Sequence, residues 1–140
     1  MTEAPSQEPR KFELPAGYDG LAEARRLLRS IRAGSLATLD ASGAPFASLV
    51  NVATAFDGAP LLLMSGLSAH TQYLLKDARA SILLAETGKG DPLAHPRLTV
   101  SGRARSLEGD ERAAARTRFL ARHPKSALYA DFGDFGFWRL

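Results

Sequence analysis

The chain of 140 residues is 45% hydrophobic and 24% charged, with a formal net charge of +3, which is ordinary for one globular domain. It has no cysteine, so disulfides, zinc–thiolate sites and a cysteine nucleophile are excluded. No apolar run reaches the roughly 18 residues of a membrane span, and the first residues lack the apolar core of a secretory signal, so we expect a cytoplasmic protein outside the membrane.

Residues 1–18 are rich in Pro, Glu and Gly and are expected to form a flexible leader before a single domain at 19–140. Apolar spacing predicts a helix over 20–32, with Asp19 at its N-cap and Gly34 as its left-handed stop. The arginines of 25–32 and 112–122 form the polar faces of helices without interleaved aromatic residues, so nucleic acid is not predicted as a partner.

Strand patterns and turn signals dominate the rest of the chain. Six strands are predicted, over 35–39, 45–56, 60–65, 80–87, 97–107 and 136–140. Two further helices are predicted over 69–77 and 110–122, the second capped by Asp110. This order predicts a mainly β (α+β) fold, a small antiparallel barrel with short helices at its margins. Because the last strand runs to Leu140 without a turn or polar tail, we expect the domain to be truncated in that strand.

The stretch from Pro60 to Glu86 contains the candidate binding motif. It has the pattern strand, tight turn, short helix, strand, with Ser68 as the helix N-cap. Unpaired amides and the positive end of the helix dipole favour an anion at this point, most often a phosphate. Ser65, His70 and Thr71 would add donors, which suggests the phosphate site of a nucleotide-like cofactor. A capped surface helix between two buried strands fits the same spacing and remains open.

Four segments in order carry a family resemblance. They are GAPFASLV, LLLMSGLSAHTQYLLKDARASILL, HPRLTVSGRA and HPKSALYADFGDFGFWRL. With the intervening pattern, residues 20–140 resemble the FMN-binding split-barrel superfamily of the pyridoxamine 5′-phosphate oxidases, and within it the branch of haem-utilisation (HugZ-type) proteins.

The resemblance implies a six-stranded antiparallel split β-barrel that forms a homodimer, with FMN in two equivalent clefts at the interface. It places Ser48, Leu49 and Val50 along the flavin and Ser65, His70 and Thr71 at the ribityl phosphate. Arg97 and Thr99 would face the cofactor from the fifth strand. No metal-ligand set is implied.

Two departures from the family affect the predicted function. The true oxidases use an arginine and a lysine on the second strand, where this chain has Ser48 and Ala53, so vitamin B6 oxidation is not predicted. The haem-utilisation relatives ligate iron through a histidine in a C-terminal extension, whereas the histidines here are His70, His95 and His123.

Three functions therefore remain open. The first is an FMN-dependent oxidoreductase that acts on a small-molecule substrate, in which the flavin does the chemistry and no side chain is assigned as catalytic. The second is a haem-binding or haem-degrading protein, with haem as the alternative cofactor. The third is a cofactor-binding dimer without turnover.

Overall fold

The computed structural model describes residues 13–140, so the first twelve residues of the expected leader lie outside the described residues. The described residues form three α-helices, α1 (Gly20–Ser30), α2 (Ala69–Lys76) and α3 (Gly109–Arg122). The same part of the chain forms eight strands, β1 (Ala33–Leu39), β2 (Pro45–Asn51), β3 (Ala53–Thr54), β4 (Pro60–Ser65), β5 (Arg79–Ala85), β6 (Arg97–Arg103), β7 (Arg105–Ser106) and β8 (Phe135–Arg139). Short 3-10 turns follow β5 and α3, at Pro92–Ala94 and Pro124–Leu128.

The strands form two antiparallel four-stranded sheets, one in the order β2-β1-β5-β6 and the other in the order β3-β4-β8-β7. The predicted α+β class is therefore confirmed. The predicted six strands become eight because two of them break and pass from the first sheet to the second.

The breaks lie at Val52, between β2 and β3, and at Ala104, between β6 and β7. Both residues are buried, and each amide finds an acceptor outside its own ladder: Val52 N donates to Arg32 O at 2.9 Å and Ala104 N to Ala78 O at 2.7 Å. Since both of these buried amides are paired, the chain can change sheets inside the core.

Two hydrophobic clusters fill the interior. The first joins the inner faces of both sheets and contains Leu36, Ile82, Leu62 and the buried Trp138. The second packs α3 on the second sheet through Phe119 and Phe137, whose ring centroids are 5.8 Å apart.

Two of the predicted helix signals are wrong in detail. Gly34 does not end α1, whose C-cap is Ile31; it lies inside β1 with a negative φ. A Cβ at Gly34 would come within 2.8 Å of Leu83 O, so the residue is required for close strand packing. Asp110 lies in the first turn of α3, whose N-cap is Glu108.

The outer face of the first sheet carries small residues and is not covered by any helix described here. The strand registers align Leu49, Ser35, Leu83 and Thr99 across this face. Leu83, on the central strand β5, is 41% exposed. Among residues 13–140, no helix is long and apolar enough to cross a membrane.

Candidate functional site

A cleft of about 300 Å³ opens between β2, the end of β4 and the start of α2. Seven of its eleven lining residues are apolar, namely Leu49, Val50, Leu63, Met64, Phe119, Tyr129 and Phe135. The four polar ones are Asn51, Ser65, Ser68 and His70. A concave pocket in which apolar side chains surround convergent polar groups is the usual form of a small-molecule site.

Four of the predicted site residues line this cleft directly. Leu49 and Val50 come from β2, Ser65 from the last position of β4, and His70 from the first turn of α2. The turn between β4 and α2 brings these two elements to the same end of the cleft, as the motif predicts.

Ser48 and His70 form a hydrogen-bonded pair beside the cleft. Ser48 Oγ lies 3.0 Å from His70 Nδ1, and both side chains are half-buried. Burial lowers the pKa of His70 from its ordinary value, so the ring is neutral at neutral pH. When Nδ1–H donates to the serine oxygen, Nε2 keeps an unprotonated lone pair that can bind a metal ion.

Ser65 is engaged by a loop that is distant in sequence. Its hydroxyl donates to Asp134 Oδ2 at 2.8 Å and accepts from Leu67 N at 3.1 Å. Asp134 O also accepts a hydrogen bond from Gly66 N. The aspartate therefore fixes the turn before α2 and brings a negative charge to the place where a phosphate was predicted.

The start of α2 is less fully capped than its sequence suggests. Ser68 is the N-cap residue, but its side chain makes no capping hydrogen bond. Thr71 is buried, with 3% of its surface exposed, and its Oγ1 has no hydrogen-bond partner among the described residues. The Ser68 hydroxyl lines the cleft and could donate to an anion or a ligand oxygen, whereas the buried Thr71, a predicted phosphate contact, does not line it.

Arg97 and Thr99 lie on β6, at the opposite edge of the first sheet from β2. Both are exposed, and Arg97 Nη1 donates to Leu93 O at 3.1 Å. One chain does not bring them to the cleft. They share the uncovered outer face with Leu49, so their predicted contact with a cofactor requires a second copy of the chain.

The sequence alone does not indicate several residues that line the cleft or contact its lining. Phe119 comes from α3, while Tyr129, Asp134 and Phe135 come from the segment before β8 and β8 itself. Aromatic residues are concentrated near the C-terminus of the sequence, but only tertiary packing places them against β4 and α2. No local signal links Ser65 to an aspartate 69 positions later.

The charge of the cleft is unusual for a phosphate site. Its lining, as described over residues 13–140, contains neither lysine nor arginine. The nearest ionised group that the hydrogen bonds identify is the carboxylate of Asp134. The described lining thus carries no positive charge, and the Asp134 carboxylate brings a negative charge to one end of the cleft.

Comparison with known proteins finds a matching family model and several similar proteins. Residues 21–140 match the family model described as pyridoxamine 5′-phosphate oxidase. The non-canonical heme oxygenase HOZ of Arabidopsis thaliana, a chloroplastic protein, is 36% identical over 132 residues, which cover 91% of this chain and 40% of that protein.

Two solved structures extend the comparison. A heme binding protein from Mycobacterium smegmatis is 40% identical with a TM-score of 0.83, and the match covers 88% of this chain and 51% of that one. A protein of unknown function from Agrobacterium tumefaciens is also 40% identical, with a TM-score of 0.80, covering 95% and 58%. The chain thus spans about half the length of these relatives.

Proposed function

This chain belongs to the pyridoxamine 5′-phosphate oxidase family, and we propose that within it the chain is a haem-binding protein of the haem-degrading type, with the cleft between β2, β4 and α2 as the cofactor site. One observation carries the proposal. The cleft contains a half-buried neutral imidazole, His70, beside apolar side chains, and its described lining offers no cation to a phosphate.

The side chains of the cleft suit a porphyrin better than a phosphorylated cofactor. Its apolar side chains would pack against the faces of a large aromatic ring, which is the main source of affinity for such ligands. The neutral His70, held by Ser48 through Nδ1, has a second ring nitrogen suited to iron. Haem, when bound, would supply the iron at which dioxygen chemistry takes place, while the protein binds, orients and shields it.

A flavin phosphate meets an unfavourable environment in the same cleft. A dianion would lie near the Asp134 carboxylate, and the hydroxyl hydrogen of Ser65 is already donated to that carboxylate. Like charges at short range in a partly buried site raise the free energy of binding. The resemblance favoured FMN as the first choice; this electrostatic argument reverses the order of the two cofactors.

The relatives support the same order. Two of the relatives that are at least 36% identical to this chain carry haem in their names, one as a heme oxygenase and one as a heme binding protein, whereas the function of the Agrobacterium protein is unknown. Since the chain spans 40% and 51% of them, haem degradation is proposed here for the whole protein and haem binding for this domain.

We further propose that the site is completed by a second copy of the chain. Leu49, at the rim of the cleft, is 78% exposed, and the outer face next to it carries small side chains that allow close approach of another sheet. A cleft of about 300 Å³ is at the lower end of the range for ligand pockets. A homodimer would enlarge the site and bring a second Arg97 and Thr99 toward it.

Flavin remains the second candidate because of one feature, the uncapped start of α2. The Ser68 side chain makes no capping bond and lines the cleft, so its hydroxyl and the helix amides remain to hold a phosphate. FMN bound there would make this protein a flavin oxidoreductase.

Separate titrations of the purified chain with haemin and with FMN distinguish the two. We expect haemin to give a sharp Soret band that saturates at one haem per site, and FMN fluorescence to stay unquenched. His70→Ala should shift the Soret band and weaken haemin binding, whereas the control His95→Ala, in the loop before β6, should leave both unchanged. Saturable FMN quenching without a Soret response would overturn the haem assignment.

A further inference from the structure

We infer a second binding site on another face of α3, one that takes the phosphate or carboxylate group of a small organic anion. A cavity of about 480 Å³ lies there, lined by Thr54, Thr117, Arg118, Ala121 and Arg122. It shares no lining residue with the cleft, although Phe119 of the same helix lines the cleft. This site does not depend on the identity of the cofactor.

Two arginines line this cavity, and two more lie near one of them. Arg118 and Arg122, from the last turns of α3, belong to the lining. Arg122 donates to Arg29 O in the last turn of α1, and Arg32 Nη2, from the link that follows α1, donates to Arg122 O at 2.6 Å. The charges of Arg32, Arg118 and Arg29 all act on Arg122.

No carboxylate balances these charges among the described residues. The ion pairs within residues 13–140 use other arginines, namely Arg26, Arg79, Arg105, Arg116 and Arg139. Burial and the charges of Arg32, Arg118 and Arg29 lower the pKa of Arg122, which reflects the same mutual repulsion. An anion in the cavity would relieve it.

Arg122 is held in place by backbone oxygens at the C-terminal end of α1. Its Nη1 lies 3.4 Å from Ile31 O and 3.3 Å from the buried Thr54 Oγ1. Thr54 in turn donates to Leu28 O. These contacts explain the position of Arg122 as a helix cap, and they fix its guanidinium at the cavity wall.

Helix capping does not explain the position of the Arg118 guanidinium. Its only hydrogen bond among the described residues runs from Nε to Thr54 O at 2.7 Å, which anchors the side chain. The two terminal nitrogens of its guanidinium make none. A guanidinium fixed through Nε and open at its fork is suited to bind two oxygens of a phosphate or carboxylate. The cavity around it has room for the organic part of the ligand.

The test is an NMR titration of the uniformly ¹⁵N-labelled chain with inorganic phosphate, pyrophosphate or citrate, at constant ionic strength set with sodium chloride. We expect saturable shifts confined to Thr117, Arg118, Ala121 and Arg122, including the Arg118 Nε–H resonance. The anion that saturates at the lowest concentration identifies the phosphate or the carboxylate class. Absence of saturable shifts, or shifts centred on the start of α2, would overturn the inference.

Matched variants separate a specific site from general charge. Arg118→Gln should weaken binding roughly tenfold or more, because a charge-assisted pair of hydrogen bonds is lost. Arg25→Gln, an exposed change of equal charge on α1, should leave it unchanged. Arg118→Lys keeps the charge but loses the fork and should also bind more weakly. Equal effects of the Arg25 and Arg118 variants, or full binding by Arg118→Lys, would contradict the site.

Discussion

Gly34 has one role predicted from the sequence and a different role in the structure. In the sequence it follows a helical pattern and predicts a left-handed stop. In the fold it lies in β1, where a Cβ would stand 2.8 Å from Leu83 O and 2.9 Å from Leu84 Cδ2. Its missing side chain allows β1 and β5 to pack closely, which supports the inner face behind the cleft.

Replacing Gly34 with alanine should therefore destabilise the protein. We expect the free energy of unfolding to fall by about 1–3 kcal/mol, the usual cost of overpacking against a backbone that cannot move freely. Urea denaturation measures the change. Gly133→Ala is the control, because a Cβ there meets nothing within 4 Å and the residue has no positive φ. Equal stability of the Gly34 variant and the wild type would show that β1 has room to shift.

One half-buried histidine, His70, and one buried histidine, His123, should make stability depend on pH. Burial lowers the pKa of both His70 and His123 below their ordinary value of about 6.5. His123 Nε2 also donates to Val52 O at 2.8 Å. The unfolded chain then binds protons more readily than the folded one, so the free energy of unfolding should fall as the pH drops below about 6.5.

Urea unfolding at pH 7.5 and at pH 5.5 tests this dependence. Carboxylates contribute little in that window, since those in ion pairs, such as Asp77 with a pKa of about 2, titrate lower. His123→Gln should be less stable at both pH values but should lose part of the difference between them. A wild type with equal stability at pH 7.5 and 5.5, or a variant that keeps the whole difference, would contradict the assignment.

The helices differ in how their first turns are held, although α1 and α2 both begin with a good N-cap residue. Asp19 Oδ1 accepts hydrogen bonds from Leu21 N and Ala22 N, each at 3.1 Å. Ser68 makes no such bond at the start of α2. The first helix is thus capped for stability, whereas the second leaves its N-terminal groups open toward the cleft.

Matched substitutions at the two caps should separate these roles. Asp19→Ala should cost about 1 kcal/mol of unfolding free energy, because two amides lose their acceptor. Ser68→Ala should change stability little, since no capping bond is lost. Thermal or urea unfolding of both variants gives the comparison. A Ser68 variant as unstable as the Asp19 variant would mean that its hydroxyl caps α2 in solution.

For the molecule as a whole, the outer face of the first sheet is the surface that bears on assembly, because no helix described here covers it. Leu83, near its centre, is 41% exposed, and Leu49 at its edge is 78% exposed. Small side chains around them would let a second sheet approach closely. The homodimer proposed above uses this face, and it would cover both leucines.

Leu83→Arg tests that interface. A charge buried without a partner should weaken self-association by roughly tenfold or more, since interface changes of this kind cost above about 1.4 kcal/mol. Sedimentation equilibrium measures it. Leu21→Arg, in the first turn of α1 and 61% exposed, is the control and should leave association unchanged. A wild-type chain that sediments as a monomer, or a Leu83 variant that dimerises normally, would contradict the proposal.

The α+β class, the strand segments and the family can all be predicted from the sequence alone. The motif between Pro60 and Glu86 also predicts that Ser65 and His70 lie close together, because β4, a short turn and α2 are consecutive and their geometry is local; their contact with a cofactor stays a prediction. Hydrophobic period and turn chemistry act over a few residues, so such features can be predicted without a structure.

Three features depend on contacts between residues far apart in the chain. They are the positions at which the two long strands break, the residues that meet Ser65, and the charge of the cleft. Val52 and Ala104 sit within unbroken strand patterns, and their breaks depend on acceptors at Arg32 and Ala78. Asp134 reaches Ser65 only when β8 pairs with β4. The arginines of α1 and α3, which looked like separate polar faces, meet because both helix ends pack around β3. Contacts between residues far apart in the chain depend on how the sheets pack, and local patterns do not contain that information.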